Sequence, residues 1–474
     1  PEAESWEHPQ GIYYRQKGID MTGKVVALFS GQGSQYLEMG RELVMNFPCL
    51  RQTYTHIDSL LCEDGLQPLS AVVFPPPVID KAQRQVQLET LHKTEYAQPA
   101  IGVFSAGLYK ILQQAGFKPD FVAGHSFGEL TALWVAGVLS EEDYLFLAKA
   151  RGQAMAAPGN PNFDAGGMLA VKGDISQITE VIKNFPQVVI ANRNSQKQVV
   201  LAGKKNEINQ VQEILKNQGF STFLLGVSAG FHTPLVSHAQ KPFAQAVEKV
   251  NFNEPQSPVY TNITGECYPQ EPHAIQKILK EQLLNQVLFQ QEIENIYAAG
   301  GYCFVEFGPK NVLTNLVKEI LNNQPHIAIA VNPNHTKNSD KTLRQAIVQL
   351  QVAGLSLQNL DPYQVVTKIP EIPQQKVLNV RLNSTNITER TQKAFAKVLE
   401  NGHHVGVISS QPTINENHPT SFNDRHQLKG NDKPPTSFNG NHQPQGNEKP
   451  PTSLNSKLEK VEIHPQNSEK VIHS

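Results

Sequence analysis

Residues 120–137, DFVAGHSFGELTALWVAG, restrict the possible folds more than any other stretch of the chain. A short apolar run ends in Gly124-His125-Ser126-Phe127-Gly128, and a helical pattern begins at Phe127 and lasts to Gly137. The pentapeptide fits G-x-S-x-G, in which the glycines permit a tight strand-to-helix turn and close approach of backbone to a bound molecule. A wholly apolar strand that passes straight into a helix belongs in a parallel sheet covered on both faces. The chain is therefore read as α/β, with the Ser126 hydroxyl projecting into a cleft from a nucleophile elbow.

Neighbouring segments fit this frame. KVVALF at 24–29 has the length and β-branching of a buried strand, and Met39, Leu43 and Phe47 recur at helical spacing over 38–47. Residues 96–117 read as a helix packed on several sides and ending at Gly116. Further on, SPVYTN (257–262) and YCFVEFG (302–308) read as core strands, with a helix at about 281–299 between them. From 164 to 227 the order MLAV, ISQITEVIKN, VVIANRNSQKQVVLAG, NEINQVQEILKNQG, FSTFLLGV is βαββαβ, a ferredoxin-like insert. It divides the core into 24–163 and 228–330, and a cleft between two subdomains follows.

Residues 1–23 are polar, lack a sustained period and are expected to be an N-terminal linker. The stretch 331–402 carries a helical pattern at 341–353 and a strand-like KVLNVRLN at 376–383, as a linker packed on the core would. Beyond it, Thr420, Thr436 and Thr452 mark a repeat of period 16, rich in Pro, Asn, Gln and Gly and almost without aliphatic residues. Such a segment buries too little apolar surface to offset its ordering entropy, so 403–474 is expected to be a disordered low-complexity tether. Seven of the 16 histidines lie there and are read as solvated linker residues, not metal ligands.

Length and charge narrow the functional classes. At roughly 150 residues per domain, 474 residues allow three domains or one large α/β unit with attachments. Lysine plus arginine number 41 against 43 acidic residues, which removes the electrostatic reason for a nucleic-acid or anionic-membrane partner. Hydrophobic residues at 39% and a mean hydropathy of −0.37 are low for one compact globule, in keeping with an unfolded portion. Cys49, Cys62, Cys267 and Cys303 form neither CxxC pairs nor a zinc pattern, so reduced thiols are expected. No apolar run is long enough for a membrane span and the N-terminus has no signal pattern, so a cytoplasmic location is expected. A start at Pro1 suggests a piece of a longer polypeptide.

A serine hydroxyl becomes nucleophilic when a base takes its proton. His232, in SAGFHTPL, lies at the mouth of the strand that closes the insert, where a loop would face the elbow. His238 is its rival but belongs to the following helix, and His125 should point away from its neighbour. The loop Ser30-Gly31-Gln32-Gly33-Ser34-Gln35 is too short for a phosphate loop and lacks its lysine. It is read as an oxyanion donor centred on the Gln32 amide, with the Phe127 amide as the other half. No convincing acidic partner stands between Ser126 and His232, and Asp164 is read as part of a linker.

GQGSQ, GHSFGEL, the arginine of AKARGQAM and FHTPL, in this order and spacing, resemble the malonyl-CoA:acyl-carrier-protein transacylase family. The likeness is to acyltransferase domains of polyunsaturated-fatty-acid, polyketide and heterocyst-glycolipid-type synthases, and it spans about 24–316. It implies a hydrolase-like core, Ser126 as acyl acceptor, His232 as general base and acid, and Gln32 and Phe127 as oxyanion amides. It also implies that the Gln282 carbonyl orients the imidazole, that Arg151 binds the malonyl carboxylate, and that Phe231 crowds an α-methyl group. Pairing of a guanidinium fork with a carboxylate gives the Arg151 role a physical basis. Malonyl-CoA would be the substrate, with no metal and no bound cofactor. The acceptor would be the phosphopantetheine of an acyl carrier protein, in cis or in trans, with a ketosynthase adjacent. Departures from the pattern are Phe127, where the family usually has a smaller aliphatic residue or glutamine, and Gly230. Asp58-Ser59-Leu60 is similar to a carrier's phosphopantetheine site but lies in a helical stretch without the preceding glycine, and is read as a coincidence. The competing readings are a serine esterase or lipase and a non-catalytic docking module of a megasynthase.

Overall fold

The computed structural model describes residues 5–358 except 9–10, 20–22, 157, 159–163 and 228. All belong to the unit Pro1–Ile369. The expected strand at 376–383 and the tether at 403–474 lie outside the described residues.

The leader expected to be a linker holds a hairpin, β1 (Ser5–His8) paired antiparallel with β2 (Ile12–Arg15). Gly11, at φ 86, makes the turn, Trp6 stacks on Tyr14, and Arg15 Nη2 donates to the Tyr302 hydroxyl at 2.9 Å. Strands of four residues are too short to show a period, which is why the pattern was hidden.

The core begins with β3 (Lys24–Phe29), buried from Val26 onward as a strand covered on both faces must be. Four short or amphipathic helices follow: α1 (Arg41–Asn46), α2 (Pro48–Glu63), α3 (Leu69–Val73) and α4 (Lys81–His92). The expected helix at 38–47 starts late because Glu38 and Gly40 are both left-handed, and a Cβ on Gly40 would lie 2.2 Å from the Phe104 ring. The long α5 (Thr94–Gln114) stops at Gly116, whose φ of 99 lets Phe117 N bond back to Leu112 O at 2.9 Å. Then β4 (Phe121–Gly124) leads into α6 (Gly128–Val135) and α7 (Glu141–Ala154), the latter capped by Ser140 on Asp143 N at 3.0 Å.

The insert comprises β5 (Gly167–Lys172), α8 (Ile175–Ile182), β6 (Val189–Ser195), β7 (Gln198–Gly203), α9 (Lys205–Asn217) and β8 (Ser221–Leu224). Its sheet is antiparallel, in the order β6-β7-β5-β8. Period-two alternation sends Leu169, Val171, Val199 and Leu201 into a core shared with Ile178 and Val211 of the insert's helices. The alternate residues Met168, Ala170, Gln198 and Val200 instead face a cavity between the insert and the core that Ser126 also lines. Ile190 packs on the insert's core and Asn192 lines the cavity despite their equal parity, because the register of β6 shifts between them.

The chain returns through a 3₁₀ turn, Pro234–Val236, to α10 (Ser237–Val247) and α11 (Pro272–Glu281). The expected strand at 257–262 amounts to single bridges, Val122 with Val259 and Tyr260 with Cys267. The expected helix at 281–299 is broken: a 3₁₀ turn, Gln282–Leu284, and extended chain precede α12 (Phe289–Ala298). Last come β9 (Gly301–Phe307), α13 (Val312–Leu321), β10 (Ile327–Ala330) and α14 (Ser339–Val352). The core sheet is parallel throughout, in the order β10-β9-β3-β4. Among the described residues no helix is long and apolar enough to cross a membrane.

Candidate active site

The elbow forms because β4 and α6 meet almost without spacing. A Cβ on Gly124 would lie 2.1 Å from the Gly128 carbonyl carbon, and one on Gly128 would lie 2.0 Å from Phe29 O, so only glycine fits at either place. Ser126 between them has φ 54, a left-handed conformation that costs a side-chain-bearing residue about 1–2 kcal/mol. Two side chains hold it there. Asn262 Oδ1 accepts from Ser126 N at 2.6 Å, and Gln282 Nε2 donates to Ser126 O at 2.8 Å.

His232 is also left-handed, at φ 60, and its Nε2 stands 2.7 Å from Ser126 Oγ. Its Nδ1 faces two backbone carbonyls, Asn285 O at 2.9 Å and Gln282 O at 3.3 Å. Carbonyls only accept, so the proton sits on Nδ1 and the Nε2 lone pair is turned to the serine hydroxyl. Burial, then the Arg151 charge, then His125 push the imidazole pKa down to about 3. The ring is therefore neutral at physiological pH. The helix break after Glu281, which the sequence pattern did not show, turns both carbonyls toward the ring, and the Gln282 carbonyl also accepts from Asn285 N at 3.4 Å. The Gln282 carbonyl was expected to orient the ring; Asn285 does so at shorter range.

Beneath the elbow lies a buried polar network that no local pattern signals. Asn262 Nδ2 donates to Gly124 O at 2.6 Å and to Glu292 Oε2 at 2.8 Å, while its backbone N–H reaches Glu129 Oε2 at 3.2 Å. Glu129 also accepts from Gln282 Nε2 at 3.0 Å and from the Tyr268 hydroxyl. Burial raises the pKa of both glutamates, and the Glu129 charge adds to the rise at Glu292.

Ser126, His232, Gln32, Phe231 and His125 line one cavity of about 240 Å³ between the core and the insert's sheet. His125 Nε2 meets Asn194 Oδ1 at 2.8 Å, tying the elbow to β6. Among the described residues the amide N–H groups of Gln32 and Phe127 have no protein acceptor. The Phe127 ring is buried away from the cavity, 5.9 Å from the Arg151 guanidinium carbon. Arg151 is only 1% exposed and does not line the cavity. Its Nη1 donates to Gln98 Oε1 and its Nη2 to Gln282 Oε1, each at 2.9 Å, and burial lowers its pKa to about 10. Gln98 does line the cavity, and its Nε2 donates to Gln32 Oε1 at 3.2 Å.

The remaining candidates fall elsewhere. His238 sits on α10 with Nε2 3.2 Å from Ala156 O. Asp164 accepts from Gly166 N at 2.9 Å and Lys205 N at 3.2 Å, at the start of the insert. Asp58 accepts from Ser70 N at 2.9 Å and Ser59 Oγ donates to Thr55 O at 3.1 Å, so that tripeptide is ordinary helix. Among the described residues no group of three or more His, Cys, Asp or Glu is placed to hold a metal ion.

A parallel sheet with a strained serine at its carboxyl edge and a neutral imidazole on the hydroxyl defines an α/β elbow protein. The chain belongs to the acyl transferase domain family, whose profile matches residues 26–359. It is 33% identical over 419 residues to one subunit of the polyunsaturated fatty acid synthase of Thraustochytrium, covering 86% of this chain and 15% of that protein. It is 29% identical to the malonyl CoA-acyl carrier protein transacylase of Bacillus subtilis, covering 68% of this chain and 98% of that enzyme. Among solved structures it is similar to the acyltransferase domain from the second module of the salinomycin polyketide synthase, with a TM-score of 0.62 at 29% identity, covering 72% of this chain and 76% of that one. The acyl-carrier-protein S-malonyltransferase of Bartonella henselae gives 0.59 at 29% identity, covering 70% of this chain and all of that one (100%).

Proposed function

We propose that this chain moves a malonyl group from malonyl-CoA, through an ester on Ser126, to the phosphopantetheine thiol of an acyl carrier protein. Ser126 Oγ passes its proton to His232 Nε2 while attacking the thioester carbonyl carbon. The C–S bond then breaks and the proton goes to the departing sulfur of coenzyme A. The carrier's thiol reverses these steps: its proton goes to His232, its sulfur takes the acyl group, and Ser126 recovers its hydrogen. The amides of Gln32 and Phe127, unclaimed by protein acceptors among the described residues, would stabilise the oxyanion. A malonyl carboxylate would take the place of Gln98 on the Arg151 fork, and Phe231 at the cavity wall would disfavour an α-methyl group by about 1–3 kcal/mol.

The observation that carries this reading is the 2.7 Å contact between Ser126 Oγ and His232 Nε2, with Nδ1 held by carbonyls. The insert is read as a ferredoxin-like subdomain on the strength of its sheet order, with limits at 164–227. The carrier would act in cis or in trans, next to a ketosynthase and in the cytoplasm. Incubation with radiolabelled malonyl-CoA tests the function. A stable label that is absent from Ser126→Ala and discharged by holo-carrier is expected, whereas free malonate released without carrier would indicate a hydrolase. A parent synthase whose output survived Ser126→Ala would indicate a docking module.

A further inference from the structure

A second cavity, about 780 Å³ and widely open, lies beside the catalytic one. Two chain segments run from one to the other. Ser34 lines the catalytic cavity and Gln35 the second, while Lys310 lines the second and Val312 the catalytic one. These segments leave the carboxyl ends of the adjacent strands β3 and β9, the edge at which open α/β sheets bind ligands.

The walls are cationic, with Lys81 and Arg84 from α4, Lys310 from the turn after β9 and Lys337 from the loop before α14. Among the described residues none of these four forms an ion pair. The acids of the cleft are already engaged. Asp80 caps α4 through Ala82 N at 3.0 Å, Glu42 accepts from Ser339 N at 3.0 Å and Ser339 Oγ at 2.7 Å, and Glu38 pairs with Arg41 at 3.6 Å. Lys310 is the most telling of the four. It is left-handed at φ 66, half-buried and lowered in pKa by that burial, and its charge adds to the effect of burial in lowering His92. Backbone strain of this kind is retained where surrounding structure over-determines it, and it clusters at ligand clamps.

We propose that this cleft seats the phosphate end of pantetheine thioesters, whether the phosphates of coenzyme A or the phosphodiester that joins pantetheine to a carrier. The proposal rests on the acyl-transfer reading above. In a ping-pong reaction the donor's arm and the acceptor's arm occupy the catalytic cavity in turn with sulfur at Ser126. Arms of the same length then leave their phosphates at the same mouth, and one cationic cleft beside it serves both. The cations bring the anion in and hold it through charge-assisted hydrogen bonds.

The test uses the full chain and an Arg84→Gln/Lys310→Gln variant at low ionic strength. Acylation is measured with malonyl-CoA and with phosphate-free malonyl-pantetheine, and discharge is measured to holo-carrier. The ratio of kcat/KM for malonyl-CoA over malonyl-pantetheine should fall about tenfold, discharge should slow similarly, and added salt should lower the wild-type ratio toward that of the variant. Lys310→Gly, which suits a left-handed turn, should lower the ratio without disturbing the backbone. An unchanged ratio, or an equal loss with both donors, overturns the proposal. A loss confined to one half-reaction overturns the shared use and leaves the cleft to that partner alone. Failure of the wild type to take malonyl from either donor would instead overturn the acyl-transfer reading, and the cleft with it.

Discussion

His232 and the Arg151 guanidinium are both buried, yet the serine–histidine pair and the guanidinium stand in opposite states of readiness. Ser126 and His232 both face the cavity, 2.7 Å apart, each fixed in a left-handed conformation. Arg151 lies behind Gln98 with both arms of its fork given to glutamine carbonyls. If the proposed function holds, proton transfer is arranged before any substrate arrives, while recognition of a carboxylate requires an exchange. On the proposed reading that exchange is a filter. A neutral acyl group has nothing to offer the guanidinium in place of Gln98, whereas a carboxylate brings a charge-assisted bond roughly twice as strong as a neutral one.

Three substitutions and one control separate the two halves of this contrast. The largest effect belongs to His232→Ala, which should slow acylation by malonyl-CoA about 10³-fold or more in quench-flow. His238→Ala should leave the rate within about twofold, and the reverse result would assign the base to α10. Asn262→Ala comes next. It removes the acceptor on Ser126 N and the donor to Gly124 O, so kcat should fall on the order of 10²-fold with KM little changed. A change in KM alone would show that the elbow keeps its shape unaided. The smallest effect is that of Arg151→Ala. The malonyl over acetyl ratio of kcat/KM should drop at least about tenfold while acetyl transfer persists, and an unchanged ratio would take Arg151 out of substrate recognition.

The elbow, the helix after it and the strand–helix order of the insert were legible in the sequence because each is a local matter of period and glycine placement. The partners that hold the elbow were not. Asn262 and Gln282 lie 136 and 156 residues from Ser126 along the chain, and nothing in TNITG or KEQLLN marks a side chain aimed at a distant backbone. The break after Glu281 was hidden for a related reason. Leu279 and Leu283 are buried on either side of it and continue an apolar pattern that suits a helix, while tertiary contacts with His232 use the carbonyls that the break turns toward the ring. Arg151 was recognisable by its setting in AKARGQAM, but its burial behind Gln98 depends on how α5 and α7 pack. Phe127 was singled out for its amide; that its ring lies 5.9 Å from the guanidinium carbon was not legible.

The preassembled pair is tested most directly by ¹⁵N NMR of His232 in the free protein, followed from about pH 8 down to about pH 5. Because burial lowers the folded-state pKa to about 3, against an ordinary value near 6.5, protonation favours the unfolded chain and stability should decline as pH falls through that window. As long as the protein stays folded, the spectrum should show one neutral tautomer, protonated at Nδ1 and unprotonated at Nε2. A ring that titrates near pH 6.5, or that carries its proton on Nε2, would contradict the account.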